Sequence, residues 1–110
     1  HVAPSQPPWY SVHMAEVQFL WDTDKAAENN RKHGVSFQEA FTSFHDERAR
    51  VIPDPEHSGD EERLLLLGFS SEARLLVICH TFNKKELVIR IISARRATRM
   101  ERENYAKVRR

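Results

Sequence analysis

One cysteine, Cys79, and three glycines, Gly34, Gly59 and Gly68, are all that this 110-residue chain holds of two residue types that often mark chemistry. A lone cysteine makes no internal disulfide and is too few for a thiolate zinc site, so Cys79, inside the apolar run LLVICHT, reads as a small core residue and a reducing cytoplasm as the simpler compartment. Three scattered glycines leave no glycine-rich phosphate loop, which argues against nucleotide-driven chemistry. His33, His45, His57 and His80 lie far apart, with neither C-x-x-C nor H-E-x-x-H spacing, so neither a metal nor a cofactor is expected. No apolar run approaches the roughly 20 residues that span a bilayer, and the N-terminus lacks a signal-like apolar stretch. The expectation is a soluble cytoplasmic protein.

Length and patterning then give an architecture. Residues 1–14, HVAPSQPPWYSVHM, carry three prolines and no periodicity before an internal Met, and read as a vector-derived leader outside the fold. The remainder, 15–110, is short enough for one domain. Val17–Trp21 is a short β-type run. A helix from Lys25 to about Lys32 follows, with Asp22 or Thr23 as N-cap and Gly34 as its stop. Ser36 and Glu39 have capping-box spacing, and Phe37, Ala40, Phe41 and Phe44 make a helical apolar stripe that should cover a sheet face. Arg48–Pro53 reads as an edge strand, since Pro53 cannot donate to a ladder. Arg63–Phe69, Arg74–Phe82 and Glu86–Ser93 then read as a meander joined at Ser70–Glu72 and Asn83–Lys85. A thinly amphipathic helix is expected from Ala97. The fold class is therefore α+β: an antiparallel sheet of four to five strands, the first an edge strand, with two N-terminal helices on one face and a C-terminal helix. The other face has no helix assigned to it unless the last one packs there, and as the open face it would suit an extended ligand on a shallow basic surface.

The stretch Glu86–Arg96, ELVIRIISARR, carries the functional signal. Alternation puts Arg90 on one face of an apolar inner strand, where it needs either an internal carboxylate or an anion such as phosphate. Arg95, Arg96, Arg99 and Arg102 follow it. Charge is also segregated: residues 1–83 hold 7 Lys/Arg against 13 Asp/Glu, and residues 84–110 hold 10 against 3. Such asymmetry suggests an acidic partner for the basic part, either nucleic acid or an acidic protein, while docking of that helix onto the chain's own acidic body remains open. The chemistry available without a cofactor is acid–base and electrostatic. Arg63, Arg74, Arg90, Arg95 and Arg96 can bind anions, Glu61, Glu62 and Glu101 are carboxylates, and His33, His57 and His80 can titrate near neutrality. That set suffices for phosphodiester cleavage in RNA, in which a base frees the 2′-oxygen and cations stabilise charge developing on phosphorus. A non-catalytic RNA- or protein-binding module is the alternative, because no residue pair has a spacing diagnostic of acid–base catalysis.

Taken together, FLWD (19–22), Lys25, KHGVSF (32–37), Ala40, Phe44, Asp46, DPEHS (54–58), EER (61–63), LLGFS (66–70), RLLVICHT (74–81), IRIISARRAT (89–98), ER (101–102) and Tyr105 form an ordered pattern. That pattern resembles the BrnT toxins of bacterial type II toxin–antitoxin systems, over about residues 17–107. Leu20 departs from it, standing where the family more often has Glu. The resemblance implies a RelE-like fold and an endoribonuclease that cleaves RNA without a metal and arrests growth. It also implies neutralisation by a cognate DNA-binding antitoxin, usually in a two-to-two complex. Carried onto this chain, it makes Lys32, His33, Glu62, Arg63, Arg90 and Arg95 the candidate catalytic residues. Lys25, His57 and Tyr105 become candidates for RNA binding, together with Arg96, Arg99 and Arg102 of the basic tail.

Overall fold

A computed structural model of the chain describes residues 9–14, 16–55 and 62–107. The strands are β1 (Trp9–Met14), β2 (Val17–Asp22), β3 (Arg50–Pro53), β4 (Leu64–Phe69), β5 (Leu75–Asn83) and β6 (Val88–Arg96). The helices are α1 (Thr23–His33), α2 (Phe37–Thr42), which continues into a 3₁₀ turn at Ser43–His45, and α3 (Arg99–Lys107). All six strands form one sheet in the order β1-β2-β6-β5-β4-β3.

Three expectations about this sheet require correction. It has six strands rather than four to five, because Trp9–Met14, set aside as a leader, pairs along its whole length with β2. It is mixed rather than antiparallel: Gln18–Leu20 run parallel to Val88–Arg90, while every other pairing is antiparallel. Consequently β2 is an inner strand, not an edge, and Leu20 lies directly beside Arg90. The reason is geometric. A meander β3–β6 leaves one edge of β6 unpaired, and an unpaired edge needs a cover. The first part of that edge is covered by β2. Beyond Arg90 the cover is α1, whose Asn29 amide accepts from Ala94 N–H at 3.1 Å and donates to the Ala94 carbonyl at 2.9 Å, in place of a neighbouring strand.

Local signals are otherwise obeyed. The Asp22 carboxylate caps α1 by accepting from the N–H groups of Asp24 and Lys25, and Gly34 ends the helix with φ 68°. Ser36 caps α2 through the N–H of Glu39. At the far end, β6 runs on to Arg96, so α3 starts at Arg99 and not at Ala97, with Thr98 and Glu101 as a reciprocal capping box. The turn before β6 also extends further than Asn83–Lys85, because Leu87 adopts φ 54° and leaves Val88 as the first strand residue.

Alternation along the strands sends Phe19 and Trp21, Leu66, Leu76 and Ile78, and Ile91 and Ala94 into one buried core with Val35, Phe37 and Ala40. Phe19 meets Phe41 and Phe44 edge-on with ring centroids 4.8 and 4.9 Å apart, which closes the side under α2. His80 belongs to this side. It is buried against Phe44, its Nδ1 lies 3.1 Å from the Ile78 carbonyl, and burial holds its pKa below the usual imidazole range. A titrating role for His80 at a solvent-facing site is therefore withdrawn.

Candidate functional site

The opposite side of the same strands carries the polar residues. Register sets Leu20 beside Arg90, and Arg90 beside Thr81. The β4–β5 ladder ends at Leu64 opposite His80, so one step further Arg63 stands opposite Thr81. Asp54 completes the row, its N–H donating to the Arg63 carbonyl at 2.9 Å. Neighbouring strands lie about 4.8 Å apart, which leaves Arg63 and Arg90 about 10 Å apart at the backbone with only Thr81 between them. Arg63 and Arg90 line one hollow of about 100 Å³ together with Trp9, Asp22, Lys25, Ile91 and Ile92. The Nε atoms of both arginines are buried, and that of Arg63 makes no hydrogen bond among the described residues.

A buried guanidinium edge is costly unless an anion or acceptor meets it. Among the described residues, this hollow is lined by three cationic side chains, Lys25, Arg63 and Arg90, and one carboxylate, Asp22. That carboxylate is already engaged as the cap of α1. The described lining is positive on balance, and the room is that of about three waters at about 30 Å³ each. One phosphate group fits both size and charge.

Two further groups stand near this row. The Cys79 thiol lies 3.8 Å from Asp54 Oδ2, and burial, with Asp54 next, pushes its pKa up, so it stays a protonated thiol and not a nucleophile. Glu62 is exposed and borders a shallow hollow with Thr81, Lys84 and Lys85, on the far side of Thr81 from the core.

Helix α1 extends the basic surface along the sheet edge. Asn29 hydrogen-bonds β6, and Lys25, Lys32 and His33 flank it at i−4, i+3 and i+4, so all share one side of the helix. Lys32 and His33 are exposed at the C-terminal end, about 10 Å from Lys25 at 1.5 Å per residue. The structure thus joins Lys25, Arg63 and Arg90 directly and places Lys32 and His33 along the same edge.

Arg95 stands elsewhere, though on the same side. Strict alternation would turn Arg90 and Arg95 to opposite faces, but the ladder passes from His80–Ile91 to Cys79–Ser93, and the extra residue, Ile92, restores Arg95 to the face of Arg90. There Arg95 makes a two-pronged pair with Glu101 at 2.9 Å per contact. That pairing, with the Thr98 cap, holds the Glu101 carboxyl down to about 2. Tyr105 is buried, donating its hydroxyl to Asp46 at 2.6 Å, and thereby fastens α3 to the body. Burial alone would raise the Asp46 pKa, but hydrogen bonds from Phe69 N–H and Tyr105 hold it below the usual range. Arg96, Arg99 and Arg102 are exposed, Arg99 beside Glu103 at 3.7 Å. His57 lies outside the described residues.

Sequence reasoning treated Asp22 and Glu39 as caps only and missed Asn29, Asp54 and Trp9. Glu39 is buried, accepting from Ser70 at 2.7 Å and from Arg74, with Arg74 Nε at 2.9 Å. That arginine also ties the end of α1 through the Gly34 carbonyl at 3.0 Å, so Arg74, read as an anion binder, is an internal brace. The one available signal was an acidic residue at N3 of α2 within a chain rich in unassigned arginines. For Asn29 there was none, because its partner on β6, Ala94, lies 65 residues away.

Among the described residues no cluster of three His, Cys, Asp or Glu could hold a metal ion, and no helix is long and apolar enough to cross a membrane. A search of curated proteins returns no match for the chain. Residues 21–101 match the family described as ribonuclease toxin, BrnT, of type II toxin–antitoxin system, a span that runs from the end of β2 to Glu101 and contains Lys25, Arg63 and Arg90. The chain belongs to the BrnT family of ribonuclease toxins.

Proposed function

We propose that this chain is an endoribonuclease toxin that cleaves RNA without a metal ion and arrests growth, and that a cognate DNA-binding antitoxin neutralises it in a two-to-two complex. The observation that carries the reading is the convergence of Arg63 and Arg90, which are 27 positions apart in the chain, with Lys25 in one phosphate-sized hollow. In the proposed reaction the 2′-oxygen gives up its proton and attacks the adjacent phosphorus, and the 5′-oxygen leaves with a proton. Charge grows on the non-bridging oxygens as the attack proceeds. Two guanidiniums, one at the start of β4 and one on β6 with β5 between them, are aimed at that charge before it appears, which is the condition for electrostatic catalysis. They do the work that a metal would otherwise supply. Lys32 and His33 along α1, and Arg96, Arg99 and Arg102 near α3, extend the cationic track for flanking phosphates. Arg95 is a positioning residue in this reading, since its guanidinium is paired with Glu101.

The test is cleavage of RNA by the purified chain, free of antitoxin and in the presence of EDTA, for the wild type and for Arg63→Ala and Arg90→Ala. Removing one such donor is expected to lower the rate on the order of 10²–10³-fold. Retention of RNA without cleavage would favour a binding module instead. Activity that vanishes with EDTA would remove the metal-free step.

A further inference from the structure

We infer that Trp9 is a base-stacking platform, so that one nucleotide of the RNA is held with its phosphate in the Arg63–Arg90 hollow and an adjacent base against the Trp9 indole. This rests on the ribonuclease reading and adds a specificity-determining residue to it. Trp9 lies opposite Asp22 in the β1–β2 ladder and borders the same hollow as Lys25, Arg63 and Arg90. The two tryptophans differ sharply: Trp21 is 1% exposed inside the core, whereas Trp9 is 42% exposed. A half-bare indole at the mouth of a cationic hollow is the arrangement by which proteins hold single-stranded nucleic acid, with cations on the backbone and an aromatic face for the base. Volume points the same way. At about 100 Å³ the hollow accepts a phosphate group but not a nucleoside, so the base of a bound nucleotide must lie outside it, on the rim. The rim residue with a large flat apolar face is Trp9. The other large apolar exposures among the described residues, Val51 and Ile52 on β3 at the opposite edge of the sheet, Phe82 near the end of β5 and Met100 on α3, do not line this hollow. A tryptophan that merely covered the end of β2 would need no cations beside it.

The experiment uses the full chain and an RNA oligonucleotide methylated at every 2′-oxygen, which binds but cannot supply the attacking group. Titration of the wild type should quench tryptophan emission and shield it from acrylamide, because the exposed indole is Trp9 while Trp21 is sealed in the core. In Trp9→Phe the quench should vanish while affinity is largely kept. In Trp9→Ala affinity should fall about 5–100-fold, the range expected for one stacked base. With cleavable RNA, Trp9→Ala should raise KM by a similar factor at nearly constant kcat. Unquenched, unshielded emission on saturation of the wild type overturns the inference without using any variant. So does a Trp9→Ala protein, folded by circular dichroism, whose Kd and KM match the wild type; cleavage would then persist and the ribonuclease reading would stand. A wild type that neither binds nor cleaves would overturn both.

Discussion

The two sides of the central strands differ in what they do with the same alternation. On the side under α2, Leu66, Leu76, Ile78, Ile91 and Phe19 are buried together, with His80 against Phe44 beside them. On the other, Arg90, Thr81, Arg63 and Asp54 stand in one row across neighbouring strands. The helix side, under α2, determines that the sheet exists, and the other side, which α3 covers in part where Tyr105 meets Phe69, determines what it can bind. Stability and activity should therefore be separable by mutation, residue by residue, along a single strand.

The largest effect tests the helix side. Phe19→Ala removes a fully buried ring that meets both Phe41 and Phe44, and should lower the free energy of unfolding by about 3–5 kcal/mol in denaturant titration. Cleavage per folded molecule should change little. If instead activity falls much further than the folded fraction, the two sides are not separable. Next comes the brace between them. Arg74→Ala leaves the buried Glu39 carboxylate with Ser70 as its remaining side-chain hydrogen-bond partner among the described residues, and should cost about 1–3 kcal/mol. Glu39→Ala should cost less, because Arg74 can turn to solvent. The order of the two is the informative readout.

How far the sequence reaches follows the same division. Caps, turns and the aromatic stripe are recorded within a few residues of one another, and Asp22, Gly34, Ser36 and Phe37 could be read directly. The parallel pairing of Gln18–Leu20 with Val88–Arg90 joins segments 70 positions apart and leaves no mark in local periodicity. Likewise Arg63 and Arg90 could be named singly as anion binders, but only the sheet order shows that one residue, Thr81, separates them. The bulge at Ile92 hid another relation, since strict alternation would have set Arg95 against Arg90. Trp9 was lost with a proline-rich stretch that has no periodicity, and its strand exists only because β2 offers it an edge.

A third prediction concerns acid. The Glu101 carboxyl is held at about 2 by Arg95 and Thr98, against an ordinary 4.5. Its folded pKa is depressed, so the unfolded chain binds more protons in acid. The stabilisation of α3 is complete above about pH 4.5 and is lost as pH falls towards 2. Asp46, which anchors Tyr105, shifts in the same direction. The protection factors of the α3 amides, which allow for the slower intrinsic exchange in acid, should fall through that window before those of the core amides do, and Glu101→Gln should remove part of the pH dependence. Simultaneous exchange of both regions would mean that α3 and the sheet unfold as one unit. The smallest effect is expected at Met100, which is 72% exposed: Met100→Ala should stay within about 0.5 kcal/mol of the wild type in thermal melts.

The central claim is that Arg63 and Arg90 act on one phosphate. A double-mutant cycle on kcat/KM with Arg63→Ala, Arg90→Ala and the double variant, each shown to be folded, measures this directly. Residues that serve the same developing charge are strongly non-additive, so the double variant should be little worse than the more damaged single one. Strictly additive losses, with each arginine contributing its full factor independently of the other, would contradict a shared site.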